Sequence, residues 1–185
     1  MSKKPIVLIF GVDGRIGVAT REIFLRNNYL LIPVNRKIID LSNPLADRQI
    51  HELLMSARPN VVVNCAGVFE DGYSKTHYAS MNVNFGSNWS IVRYYANNKD
   101  QTAPTNIVLV GGKDRSIENS KCLLYSTSKA AVQNLWQQAA DTFAGSNISI
   151  NLVNPSGTQN TPQQVAEEIF KLTQQSNSSC VDMTL

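Results

Sequence analysis

The hydrophobic positions of this 185-residue chain fall into short continuous runs separated by longer amphipathic stretches. Ile6-Val7-Leu8-Ile9-Phe10, Leu30-Leu31-Ile32-Pro33-Val34, Val61-Val62-Val63-Asn64, Ile107-Val108-Leu109-Val110 and Ser149-Ile150-Asn151-Leu152-Val153 are rich in β-branched residues. Runs with little polar alternation suit strands buried on both faces, as in a parallel sheet. Ile38-Ile39-Asp40-Leu41-Ser42 reads as a further short strand, and Cys180-Val181-Asp182-Met183 as a final edge strand. Pro33 marks an irregularity, because proline cannot donate to a sheet ladder. Helical patterns lie between these runs. One covers 19–28, and another runs through Ile50, Leu53 and Leu54 with Ser42 or Asn43 as its cap and Pro44 in its first turn. Others span 78–97 and the stretch that opens at Tyr125 and continues through Ala130, Leu135 and Ala139. A last one starts at Thr161-Pro162, with Val165, Ile169 and Leu172 as its apolar stripe. Strands alternating with helices predict an α/β fold, a doubly wound parallel sheet in a single domain over 1–185.

Composition narrows the function classes. A hydrophobic fraction of 43% with 17% charged residues reads as globular, and a scattered net charge of +3 gives no reason to expect a nucleic-acid partner. Cys65, Cys122 and Cys180 are far apart and odd in number, which predicts free thiols, a reducing compartment and no metal site. The apolar run after Lys3 and Lys4 is too short for a signal peptide, and no stretch has the length of a membrane span. The expected location is the cytoplasm, with no membrane partner.

The candidate chemistry sits at the ends of the predicted strands. The first runs straight into Gly11-Val12-Asp13-Gly14-Arg15-Ile16-Gly17, followed by a helix. Glycines permit a tight turn and close backbone approach, and a helix N-terminus offers N–H groups and partial positive charge to a pyrophosphate. Glycine-rich turns that bind nothing have the same look; the position directly after the first buried strand favours the ligand. Asn35-Arg36-Lys37 ends the second strand. In dinucleotide-binding folds an acid here serves the adenosine ribose and a cation serves a 2′-phosphate, so this triplet leans toward NADP over NAD, unless it is simply a solvated basic turn. Asn64-Cys65-Ala66-Gly67 closes the fourth predicted strand with small residues that leave room for a ligand across the sheet edge. Tyr125 and Lys129, four apart, share one helix face. A phenol has an unperturbed pKa of about 10, and a neighbouring ammonium lowers it, making the phenol a usable proton donor and acceptor. The same spacing also occurs where a half-buried aromatic lies beside a solvated charge, and its neighbours decide.

Taken in order, these pieces resemble the short-chain dehydrogenase/reductase family over nearly the whole chain. They are Gly11-x-x-Gly14-x-x-Gly17, Asp40-Leu41, Asn64-Cys65-Ala66-Gly67, Asn82 in the following helix, Tyr125-x-x-x-Lys129 and Asn154-Pro155-Ser156-Gly157. The resemblance implies that Tyr125 exchanges a proton with a carbonyl or alcohol while a nicotinamide carries the hydride. It implies that Lys129 lowers the tyrosine pKa and holds a ribose, and that Asn82 supports a proton-relay water. Gly11, Asp13, Gly14, Arg15, Ile16 and Gly17 would carry the pyrophosphate. Asn35, Arg36, Asp40 and Leu41 would meet the adenosine end. Asn64, Ala66 and Gly67 would flank the riboses, and Cys65, Pro155 and Ser156 would also bind the cofactor. A homodimer or homotetramer is also implied, and Trp89, Tyr94, Tyr95, Trp136 and Phe143 supply the aromatic surface for it if they are not core.

The chain departs from the family pattern in four places. The serine usual about thirteen residues before the tyrosine is Gly112, preceded by Gly111; Ser116 in the next loop is the candidate substitute. Arg15 stands where single-domain members commonly carry glycine. The link from Asn35 to Ile38 is too short for the usual helix, as in the dTDP-4-dehydrorhamnose reductase branch, which acts on nucleotide sugars. The stretch after Gly157 is short for a substrate lid. The expectation is therefore a compact NADPH-dependent reductase of a carbonyl or sugar-like substrate. Its alternatives are a non-catalytic dinucleotide-binding sensor or scaffold, and a subunit whose site another polypeptide completes.

Overall fold

Alternate residues of the first strand enter two different cores, and this sets the layering of the molecule. The computed structural model describes residues 3–69, 80–99, 103–112, 123–156 and 159–183. β1 (Ile6–Phe10) sends Leu8 and Phe10 to one face and Val7 and Ile9 to the other, the two-residue period of a strand. On the first face lie α2 (Ala46–Ala57), α3 (Ser87–Asn97) and α4 (Leu123–Phe143), through Ile50, Leu54, Ile91, Tyr95, Val132 and Leu135. On the second lie α1 (Arg15–Arg26) and α5 (Pro162–Leu172), through Phe24, Val165, Ile169 and Leu172. The rings of Phe24, Tyr29 and Phe170 meet edge-on there, Phe24 5.0 Å from Tyr29 and 5.3 Å from Phe170.

The sheet is parallel throughout its described strands. β2 (Leu30–Val34), β3 (Val61–Asn64), β4 (Thr105–Val110), β5 (Ile148–Asn154) and β6 (Cys180–Asp182) join β1 in the order β2-β1-β3-β4-β5-β6. The expected α/β doubly wound parallel sheet is the observed one. Order reverses at β1, which pairs with β2 on one side and β3 on the other. In such sheets ligands bind outside the carboxyl ends at this switch point.

One expected strand is not there. Residues 38–42 form turns, so β2 is an edge strand. A parallel neighbour needs a crossover of about a dozen residues or more, and the link after Val34 has no room for one. The burial that suggested a strand is nevertheless present, since Ile39 and Leu41 are buried while Ile38 is 53% exposed. The edge position explains Pro33. Leu30 N–H donates to Pro5 O at 2.8 Å and Gly11 N–H to Val34 O at 2.9 Å, so residues 30 and 34 turn toward β1. Residue 33 therefore points outward, and proline there removes the donor that a stray strand could use.

The long helix expected over 78–97 begins, among the described residues, at Ser80 and passes through a π-helical turn at Asn82–Gly86 before α3. Such widened turns concentrate at functional sites. Of the aromatic set, Tyr95 and Phe143 are core, Tyr94 packs edge-on against Tyr95, and Trp136 Nε1 donates to Ile150 O at 3.0 Å. Trp89 is 46% exposed. No helix of the described residues is long and apolar enough to cross a membrane.

Candidate active site

A cleft of about 470 Å³ opens at the carboxyl ends of β1, β2 and β3. Its floor is the glycine-rich turn. Gly11 has φ +69°, and a Cβ there would come within 2.7 Å of the Ala66 backbone, so both conformation and space require glycine. Gly17 packs α1 against the same turn, its missing Cβ lying 2.1 Å from Gly11 O. Gly14 caps α1 with no side-chain acceptor on the first N–H groups, which leaves them for a ligand. Asn35 Nδ2 donates to Asp13 Oδ2 at 2.8 Å and fastens this turn to the end of β2.

The far wall of the cleft is Val34, Asn35, Arg36, Ile39, Asp40, Leu41 and Ser42. Ser42 donates to Asp40 Oδ1 from Oγ at 2.7 Å and from its amide at 3.1 Å. These two bonds, and then Arg36 3.4 Å away, hold the Asp40 carboxyl below its usual range. The near wall is Cys65, Ala66, Gly67, Val68 and Val83. Burial pushes the Cys65 thiol up to about 12, so it stays neutral beside the cleft.

Gly67 links the cleft to the proton-bearing residues, since a Cβ on it would lie 3.6 Å from Lys129 Nζ and 3.7 Å from Asn84 Oδ1. Lys129 is 4% exposed and donates to Val110 O at 3.0 Å. Removing an ammonium from water disfavours its charge, and burial takes Lys129 down to about 8. Its Nζ stands 5.6 Å from the centre of the Tyr125 ring, and the Phe69 ring lies 5.1 Å from that ring. Gly112 faces both residues. A Cβ there would sit 3.7 Å from Tyr125 Oη and 3.7 Å from Lys129 Cγ.

The asparagine beside this group is Asn84, not Asn82. Asn82 Nδ2 donates to Ser42 O at 2.9 Å, toward α2. Asn84 is fully buried; its Oδ1 accepts from Val68 N–H at 2.8 Å, and its Nδ2 donates to Val68 O at 2.9 Å and to Ser128 Oγ at 3.1 Å. Ser128 Oγ in turn donates to Tyr125 O at 2.7 Å. Extending the buried stripe of α3 backward gives Tyr95, Ile91, Asn88 and Asn84. That three- and four-residue rhythm was the signal in the sequence.

A family model described as "short chain dehydrogenase" matches residues 46–170. The chain belongs to the short chain dehydrogenase family. No curated protein matches it. Among solved structures it is similar to a 3-alpha-hydroxysteroid dehydrogenase from Pseudomonas sp. B-0831 complexed with NADH, at 22% identity and a TM-score of 0.77 over 96% of this chain and 94% of that one. It is also similar to a metagenomic short-chain oxidoreductase in complex with NADP, at 20% identity and 0.76 over 96% and 95%. A third is serine dehydrogenase from Escherichia coli, at 16% and 0.80 over 96% of each chain.

For this short chain dehydrogenase, the cleft gathers Gly11, Asp13, Gly14, Asn35, Arg36, Asp40, Leu41, Cys65, Ala66 and Gly67 from the expected set. Others stand outside it. Arg15 is exposed on the first turn of α1, Ile16 packs into the second core, and Gly17 serves helix packing. Asn64 donates to Ser87 Oγ and Asn88 Oδ1, both at 2.8 Å, and so anchors β3 to α3. Ser156 Oγ donates to Gln159 Oε1 at 2.9 Å. Ser116 and Gly157 lie outside the described residues. Val34, Ile39, Ser42, Val68 and Val83 line the cleft without having been expected there.

Proposed function

We propose that the chain is an NADPH-dependent reductase of a small-molecule carbonyl, with Tyr125 as proton donor. The observation that carries this reading is the buried Lys129 ammonium beneath Tyr125, at the end of a cleft lined by a glycine-rich turn. The cleft, with bare N–H groups at the start of α1, fits a dinucleotide, and the neighbours solved with NADH or NADP support that class of cofactor. When bound, the nicotinamide supplies the hydride. Lys129 favours the phenolate that Tyr125 leaves behind, and in the alcohol-oxidising direction Tyr125 takes the proton back. Asn84 holds the segment at Val68 and, through Ser128, the backbone of Tyr125. Arg36 and Lys37, with no acid in the 35–37 triplet, support NADPH over NADH.

NADPH should therefore raise the melting temperature more than NADH at equal concentration, and Arg36→Ala should weaken NADPH far more than NADH. No shift with either cofactor sinks the proposal; equal losses on Arg36→Ala sink the preference. The asparagine assignment is separable. Asn84→Ala should cut turnover about 100-fold or more and lower the melting temperature, whereas Asn82→Ala should leave turnover within a few-fold (about a 1 kcal/mol effect). The opposite ranking would return the role to Asn82.

A further inference from the structure

We infer that Asn154 is a positioning residue for the Tyr125–Lys129 pair, because its carboxamide fixes the end of β4 that stands against the phenol. Val110, the last residue of β4, accepts the Lys129 ammonium, and Gly111 and Gly112 follow it directly. A Cβ on Gly111 would fall 2.1 Å from Asn154 Oδ1. The Asn154 carboxamide therefore occupies the volume that a side chain at 111 would fill, and the two positions are a matched set. The same oxygen accepts from Gly112 N–H at 3.2 Å. Gly112 is the residue whose missing Cβ faces Tyr125 Oη at 3.7 Å, so Asn154 holds the backbone that walls the phenol.

The other end of the carboxamide is equally committed. Asn154 Nδ2 donates to Asp182 Oδ1 at 2.7 Å and to Gln133 Oε1 at 3.0 Å. A carboxylate can only accept and the Gly112 amide can only donate, so the orientation of the group is determined. Gln133 lies one helical turn beyond Lys129 on α4, with Tyr125, Lys129 and Gln133 spaced four apart on one face. Asn154, 1% exposed at the tip of β5, thus ties β4, β6 and the helix of the proton-transfer pair at a single point. A buried polar group with partners at both ends restricts the geometry around it, since any displacement strands a donor or an acceptor.

The inference rests on the reading of Tyr125 and Lys129 as the proton-transfer pair, and its test needs neither cofactor nor substrate. The Tyr125 phenol is titrated by ultraviolet difference, each protein against its own Tyr125→Phe counterpart. In Asn154→Ala the Tyr125 midpoint should move by about half a pH unit or more, because the Gly112 wall is no longer held. NADPH affinity should stay within about threefold. Gly111→Ala should lower the melting temperature in the wild type and much less in the Asn154→Ala background, where the space has been vacated. If Asn154→Ala does not fold, Asp182→Asn loosens the same carboxamide from its exposed end and should move the midpoint in the same direction. An unmoved Tyr125 midpoint in the folded variant, with stability alone reduced, would overturn the inference. Failure of the wild type to bind NADPH would instead overturn the functional reading beneath it.

Discussion

Tyr125→Phe should lower the turnover of a carbonyl substrate by about 100- to 10,000-fold, the usual worth of a positioned general acid. NADPH affinity should hardly change. The substitution deletes Oη and leaves the ring, so the packing against Phe69 at 5.1 Å and the Lys129 bond to Val110 O at 3.0 Å are both retained. Deleting one atom at this position separates chemistry from binding. Steady-state turnover and NADPH fluorescence titration on the same preparations read the two quantities. Unchanged turnover would remove Tyr125 from the reaction, and a matching loss of cofactor affinity would make its role one of binding. Gly112 contributes no hydroxyl here, so the proposed reading puts the whole of the proton donation on the Tyr125 phenol. A non-catalytic dinucleotide binder, which the missing hydroxyl also suits, predicts no turnover to lose.

Lys129 should leave its mark on stability against pH. Its pKa falls from 10.5 in the unfolded chain to about 8 in the fold. Below pH 8 both states carry the ammonium, and the folded state bears the full cost of burying it. Between pH 8 and 10.5 the unfolded chain binds the extra proton, so this cost is relieved as pH rises. Relative to Lys129→Met, the wild type should gain about 3 kcal/mol across that window. The comparison with the variant is needed because Cys65 and Tyr95 act the other way. Burial raises the first to about 12 and pushes the second higher still, so both withdraw stability at alkaline pH; Tyr95 does so equally in either protein, and Cys65 slightly more in the variant, which lacks the Lys129 charge that lowers it. Denaturant unfolding of the two proteins at pH 7 and pH 10 measures the difference. Parallel profiles would mean that Lys129 is solvated, and the case for a desolvated ammonium under the phenol would fail.

Much of the fold was legible because buried parallel strands print themselves as continuous apolar runs. Val61, Val62 and Val63 read correctly for that reason, and so did the glycine turn that follows β1. The segment 38–42 misled because burial and hydrogen bonding part company there. Ile39 and Leu41 alternate into the core as a strand would, yet the chain between Val34 and Ile38 cannot travel far enough to lay a parallel neighbour. Asn82 misled for a different reason. Asn82 and Asn84 are two residues apart and so face different sides of the turn at Asn82–Gly86; the buried stripe of α3 extends back to Asn84, which the family motif alone did not distinguish from Asn82. Asn154 could not be read locally at all. Its meaning lies in contacts with Gly111, Gly112, Gln133 and Asp182, which a spacing argument along the chain does not reach.

The most direct test of a hydride-transferring site is transfer itself. NADPH carrying deuterium at the reactive nicotinamide carbon is mixed with a panel of apolar and sugar-like carbonyl compounds, and the products are read by mass spectrometry. Wild-type protein should move deuterium onto the carbonyl carbon of at least one compound, and Tyr125→Phe, with NADPH still bound, should not. A protein that binds NADPH and moves no deuterium onto any member of the panel would contradict the proposed hydride transfer.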